Sequence, residues 1–142
     1  MDENRITLLI DLMLRFHHFG DEIPPFDELG ITPAQFYYID HLAANGPCSL
    51  THVKEGLGFS PASVSVMLKH LEKKGLIAKR LNPADKRSFD LELTRTGRGI
   101  FSKVDKYRKQ KAQMFLSRLN EAEQEQFLLL VEKTMNNSER RG

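Results

Sequence analysis

The chain has 142 residues, 40% of them apolar, with a formal net charge of +2 and one cysteine. That length suits one domain burying roughly two-thirds of its unfolded surface, and the composition excludes a disordered or low-complexity protein. A single cysteine excludes an internal disulfide and fits a reducing, cytoplasmic setting.

Charge is distributed unevenly. Between Lys69 and Lys111 there are 14 Lys and Arg against 5 Asp and Glu, a block of +9, while the remainder carries −7. A localised basic footprint of this kind suits a polyanion.

The spacing predicts a first helix from about Asn4 to Phe19. Ile6, Leu9, Ile10 and Met13 fall on one stripe, and Leu8, Leu12, Phe16 and Phe19 on a second. Apolar residues on two sides need more cover than a subunit of this size supplies, so one side is expected in the subunit core and the other at a dimer interface, with Ile6, Leu9, Ile10 and Met13 assigned to the interface. Asp11 and Arg15 interrupt the apolar stretch, which reads as neither a signal peptide nor a membrane span. His17 and His18 point about 100° apart on a helix and form no ready metal pair.

Residues 20–30, with Pro24 and Pro25, read as a connector. Thr32-Pro33-Ala34-Gln35 opens the next helix, with Thr32 as cap and Gln35 placed for a capping box. Phe36, Ile39, Leu42 and Ala43 face inward, and the helix ends at Asn45-Gly46-Pro47. Ser49 caps a short helix carrying Leu50, Val53 and Leu57 and ending at Gly58. With the following helix it forms a helix-turn-helix pair joined by Gly58 and Phe59.

Ser60 caps that following helix, with Pro61 at its first position, where a missing N–H costs nothing. Val64, Met67, Leu68 and Leu71 make one apolar stripe, and Gly75 suits a left-handed stop. The opposite face carries Ala62, Ser63, Ser65, Val66, Lys69, His70 and Lys73. The period then becomes two. Leu76 to Leu81 form one strand, and Phe89, Leu91 and Leu93 alternate with Asp90 and Glu92 in a second, around the polar turn 82–88. A helix with small residues at its start, beside a hairpin tipped with Lys86 and Arg87, suits the grooves of duplex DNA. Read alone, the same unit is also compatible with plain packing and a solvated basic edge.

A long helix follows from Thr96 to about Arg118, apolar through Ile100 or Phe101, Val104, Tyr107, Met114 and Phe115, and otherwise basic. Asn120 caps a final helix bearing Phe127, Leu128, Leu129, Leu130, Val131 and Met135. Its apolar run exceeds what one subunit covers, so Phe127, Leu130 and Val131 are expected to pair with a second copy.

SPASVSVMLKHLEKKGLI, NPADKRS and LTRTG resemble the recognition helix, the wing tip (an Asp, any residue, an Arg) and the strand-to-helix junction of the MarR family of bacterial transcriptional regulators. The resemblance implies a mainly α fold with a small β-hairpin wing, in a single domain. It places a winged helix-turn-helix lobe over 32–98 and dimerisation helices over 1–31 and 99–142. It implies a homodimer on a pseudo-palindromic, double-stranded DNA operator, acting as a repressor released by a small aromatic effector.

By the same resemblance Pro61, Ala62, Ser63, Ser65, Val66 and Lys69 face the major groove, with Ser60 at the helix start. Arg87 enters the minor groove, with Asp85 orienting it or the turn. Lys73, Lys86, Arg95 and Arg98 then contact phosphates. Two departures stand out. Val66 occupies a position where the family often has Arg, which suggests thymine-methyl contact in place of guanine reading, and Lys54 replaces a usual small residue. Phe16, His17, Tyr37, Tyr38 and His41 are the expected lining of an effector crevice.

Cys48 has no second cysteine and reads as an inert thiol. The histidines show no cysteine or carboxylate at ligand spacing, so neither a metal nor another cofactor is expected. Without a glycine-rich phosphate loop or a supported Ser-His-Asp pattern, an enzyme is not expected either, and no membrane partner. The alternative function is a winged helix that binds protein, or that binds DNA constitutively without ligand response.

Overall fold

The computed structural model describes residues 2–19 and 24–136, apart from the side chains of residues 17–19. The helices are α1 (Glu3–Phe19), α2 (Phe26–Leu29), α3 (Pro33–Asn45), α4 (Leu50–Leu57), α5 (Pro61–Lys73), α6 (Arg95–Leu116) and α7 (Glu121–Asn136). The strands are β1 (Cys48–Ser49), β2 (Ile77–Leu81) and β3 (Phe89–Leu93). Two compact units result, Met1–Val104 and Asp105–Gly142. No helix among the described residues is long and apolar enough to cross a membrane.

Helix starts follow the capping chemistry of the sequence. Thr32 Oγ1 accepts from the Gln35 amide at 3.1 Å, and the Gln35 side chain accepts in return from the Thr32 amide at 3.0 Å. Ser49 and Ser60 cap α4 and α5 through the amides of His52 and Ser63. Gly58 and Gly75 close these two helices with φ of +67° and +74°, a region that favours glycine.

The core of the first unit gathers Ile39, Val53, Val64, Leu71, Ile77 and Val104, all fully buried, from α3, α4, α5, β2 and α6. Each such side chain contributes about 1.5–3 kcal/mol of burial. Lys74 ties the end of α5 back to this core, its Nζ donating to the Gly30 carbonyl at 2.9 Å and to Gln35 Oε1 at 3.2 Å.

The sheet has one strand more than expected. Order runs β1-β3-β2, and β1 pairs antiparallel with β3 through Cys48–Leu91 and Ser49–Asp90. Two residues carry no readable alternation, so this strand is set by tertiary pairing alone. A second correction concerns the histidines. His41, Cys48 and His52 bring their ligand atoms within 4.8 Å of one another, against the expectation of no cysteine partner. The turn into β1 and the start of α4 fold the three together.

LTRTG acquires a physical role at the β3–α6 junction. Thr94 donates its hydroxyl to the Gly75 carbonyl at 2.6 Å and accepts from the Gly97 amide at 3.1 Å. A Cβ on Gly97 would overlap the Leu76 carbonyl, whereas one on Gly99 would meet nothing. Gly97→Ala should therefore lower stability by about 1–3 kcal/mol through overpacking. Gly99→Ala should be neutral or stabilising by up to about 1 kcal/mol. Thermal melts of the two variants check this, and equal midpoints would remove the close-approach role of Gly97.

In the second unit, Asn120 and Glu123 cap α7 reciprocally, side chain to amide at 2.9 Å each way. Gln124 Nε2 donates to the Leu116 and Leu119 carbonyls, and Phe115 packs on Phe127 at 5.6 Å between ring centroids. No residue of α7 is buried. Leu128, Leu129, Leu130, Val131 and Met135 are all exposed, as are Ile6, Leu9, Ile10 and Met13 on α1; Leu8, Leu12 and Phe16 are exposed too, so neither described stripe of α1 enters the core that one of them was expected to join.

Candidate nucleic-acid interface

The N-terminal face of α5 is built to be approached. Ser60 Oγ accepts from the Ser63 amide and donates to Ser63 Oγ at 2.7 Å, which leaves the Ser63 hydroxyl proton to serve an outside acceptor. Pro61, Ala62 and Ser63 are exposed, Ser65 is half-buried, and Lys69, His70 and Lys73 continue the exposed face. Val64, Leu68 and Leu71 on the other side anchor the helix in the core. Val66 stands 58% exposed, an apolar side chain presented outward beside hydroxyls.

The β2–β3 connection is stiffened by its own side chains. Asn82 Oδ1 accepts from the amides of Ala84 (2.8 Å) and Asp85 (3.3 Å), and Asn82 N donates to the Ser88 carbonyl at 3.1 Å. Asp85 Oδ1 accepts from the Arg87 backbone amide at 3.0 Å. Asp85 thus holds the turn through the backbone of Arg87. The Arg87 guanidinium and the Lys86 ammonium have no hydrogen-bond or ion-pair partner among the described residues. A fixed backbone carrying unpaired cations is what an outside anion requires.

Arg98 behaves differently. Its Nη1 donates to the Leu93 carbonyl at 2.9 Å, so it braces the strand-to-helix junction, where a free phosphate ligand was expected. It also borders a hollow of about 310 Å³, lined by Leu42, Ala43, Gly46, Pro47, Glu92, Leu93, Phe101 and Ser102.

Among the described side chains, none of the expected effector residues lines that hollow. Tyr38 is a core residue, 3% exposed, and burial pushes its phenol up. Its ring lies 6.1 Å from that of Phe59, which Tyr37 meets edge-on from outside at 6.4 Å. Phe16 is exposed on α1, and the His17 side chain lies outside the described residues. His41 faces His52, its Nε2 at 3.3 Å from His52 Nδ1. Burial, and then His52, lower its pKa against a smaller opposing effect of Asp40. Burial and Asp90 raise the Cys48 thiol, which keeps it protonated and unreactive while no metal is bound.

Comparisons with known proteins converge on one family. The sequence profile of the MarR family matches residues 29–88, the stretch that runs from the end of α2 to the turn between β2 and β3. The "HTH-type transcriptional repressor MdtR" of Bacillus subtilis is 32% identical over 121 residues, covering 82% of this chain and 78% of that protein. The crystal structure of the YusO protein from B. subtilis superposes with a TM-score of 0.73 at 29% identity, over 96% of this chain and 99% of that one. A mutant of S. aureus MepR solved with an oligodeoxyribonucleotide shares the fold at TM-score 0.62 and 21% identity, covering 96% and 98% of the two chains.

Proposed function

This chain belongs to the MarR family of DNA-binding transcriptional regulators, and from that premise we propose that it is a homodimeric repressor reading a pseudo-palindromic operator. Each subunit places α5 in a major groove through Ser63, Ser65, Val66 and Lys69, with Ser60, Pro61 and Ala62 permitting close approach. Arg87 enters the flanking minor groove, and Lys73 and Lys86 contact phosphates.

One observation carries the reading. The Asp85 carboxylate locks the backbone of Arg87 while the guanidinium has no partner among the described residues. A purely structural turn has no need of both features. Together they support a wing tip that meets an anion outside the chain.

Residues 32–98 form the DNA-binding lobe in this scheme, and the apolar faces of 1–31 and 99–142 build the dimer. A small aromatic effector binding the dimer would lower the population of the binding-competent state and release the operator. MepR has been solved with ethidium bromide, a planar aromatic cation, which supports an effector of that class. The protein acts in the cytoplasm, where its DNA target lies, and as a regulator without catalysis.

Titration against genomic duplex fragments over a salt series tests the electrostatic half of this reading. With several phosphate contacts in each subunit, log K should fall steeply with log salt, by about 0.9 per contact. A flat dependence would favour the protein-contact alternative. Val66→Arg tests the base-reading half. It adds a donor at an exposed groove-facing position and should shift the half-site consensus toward guanine, a discrimination worth about 1–3 kcal/mol. The same consensus from both proteins in a random-pool selection would remove Val66 from the bases.

A further inference from the structure

His41, Cys48 and His52 lie on three different elements, α3, β1 and α4, yet their ligand atoms all fall within 4.8 Å of one another. His41 Nε2 stands 3.3 Å from His52 Nδ1. In a tetrahedral zinc site, with Zn–N bonds of about 2.0–2.1 Å, two nitrogens sit about 3.3–3.4 Å apart. The two imidazole nitrogens, in hydrogen-bond contact here, already have the separation of a metal-bound pair, and the Cys48 sulfur stands within 4.8 Å of both.

Local packing holds the first ligand in place. Asn45 Nδ2 donates to the His41 carbonyl at 2.8 Å, and a Cβ on Gly56 would overlap the His41 ring, so the glycine makes room for it. Cys48 is buried, His41 half-buried and His52 exposed, so the cluster reaches from the core to solvent.

We propose that His41, Cys48 and His52 form a Zn²⁺ site, with His41 Nε2, Cys48 Sγ and His52 Nδ1 as three ligands and solvent as the fourth. Two nitrogens and a thiolate are a donor set that zinc takes and magnesium or calcium does not. Binding releases the Cys48 proton and nothing else changes covalently. Occupancy links the outer strand of the sheet to the first helix of the helix-turn-helix pair. The proposal does not depend on the dimer or on DNA.

Reduced, tag-free, full-length protein titrated with Co²⁺ tests it. One Co²⁺ per chain should bind, with a thiolate-to-cobalt charge-transfer band and the strong visible bands of four-coordinate cobalt, all removed by one equivalent of Zn²⁺. Cys48→Ser should lose the charge-transfer band. His52→Gln, at an exposed position that cannot endanger folding, should weaken binding by at least ~10-fold. Circular dichroism of the metal-free variants separates lost ligands from lost structure. Weak six-coordinate spectra, no uptake at one equivalent, a charge-transfer band that survives Cys48→Ser, or unchanged affinity in His52→Gln would each overturn the site.

Discussion

Leu130→Glu is expected to abolish specific DNA binding without touching any side chain proposed to meet DNA. Leu130 is 56% exposed in the isolated subunit, within a helix that buries none of its residues. A glutamate at so exposed a position would cost a lone subunit little. Its effect is large only if a second copy covers the site, because a carboxylate buried there without a partner costs several kcal/mol. Loss of the dimer then removes the second half-site, one helical turn or about 34–36 Å away. Affinity should fall by roughly 10³-fold or more, to the non-specific level. Light scattering should report a monomer, or an unfolded chain if the dimer is obligate. A variant that stays dimeric and binds normally would mean that α7 does not build the dimer.

Arg87→Ala is expected to weaken DNA binding by about 1–3 kcal/mol per subunit, roughly 5- to 150-fold for each, with no change in melting temperature. The hairpin tip is exposed and the Arg87 side chain supports nothing in the subunit. A guanidinium in a narrow minor groove gains from its concentrated negative potential. Asp85→Ala provides the companion measurement. It leaves the guanidinium in place but removes the acceptor of the Arg87 amide, so binding should weaken through a loosened tip. Gel-shift titrations at matched salt compare all three proteins. Equal affinity for wild type and Arg87→Ala would take the wing out of the interface.

What was legible in the sequence was local. Thr32, Ser49, Ser60 and Asn120 act within three residues of themselves, so their caps follow from residue type and spacing alone. The α5 stripe and the β2–β3 alternation were readable for the same reason. The Asp85–Arg87 motif was readable as a motif, but its chemistry depends on the folded turn, because a carboxylate can hold either a guanidinium or an amide. Arg98 shows the converse. Its charge suggested a phosphate, and only the fold places the Leu93 carbonyl beside it.

The features missed depend on tertiary pairing. A strand of two residues has no period, and the cluster at His41, Cys48 and His52 needs α3, β1 and α4 folded together. A trace was nevertheless present. Cys48 and His52 stand four apart, a spacing common among metal ligands. The apolar surplus on α1 and α7 was legible as excess, since a stripe too wide for one subunit shows without knowing its partner.

The most direct measurement is a selection of bound duplexes from a random DNA pool by the purified protein. A two-fold dimer with α5 in successive major grooves predicts an inverted repeat, with half-site centres about 10–10.5 base pairs apart. An unenriched pool, or a single unrepeated half-site, would contradict it.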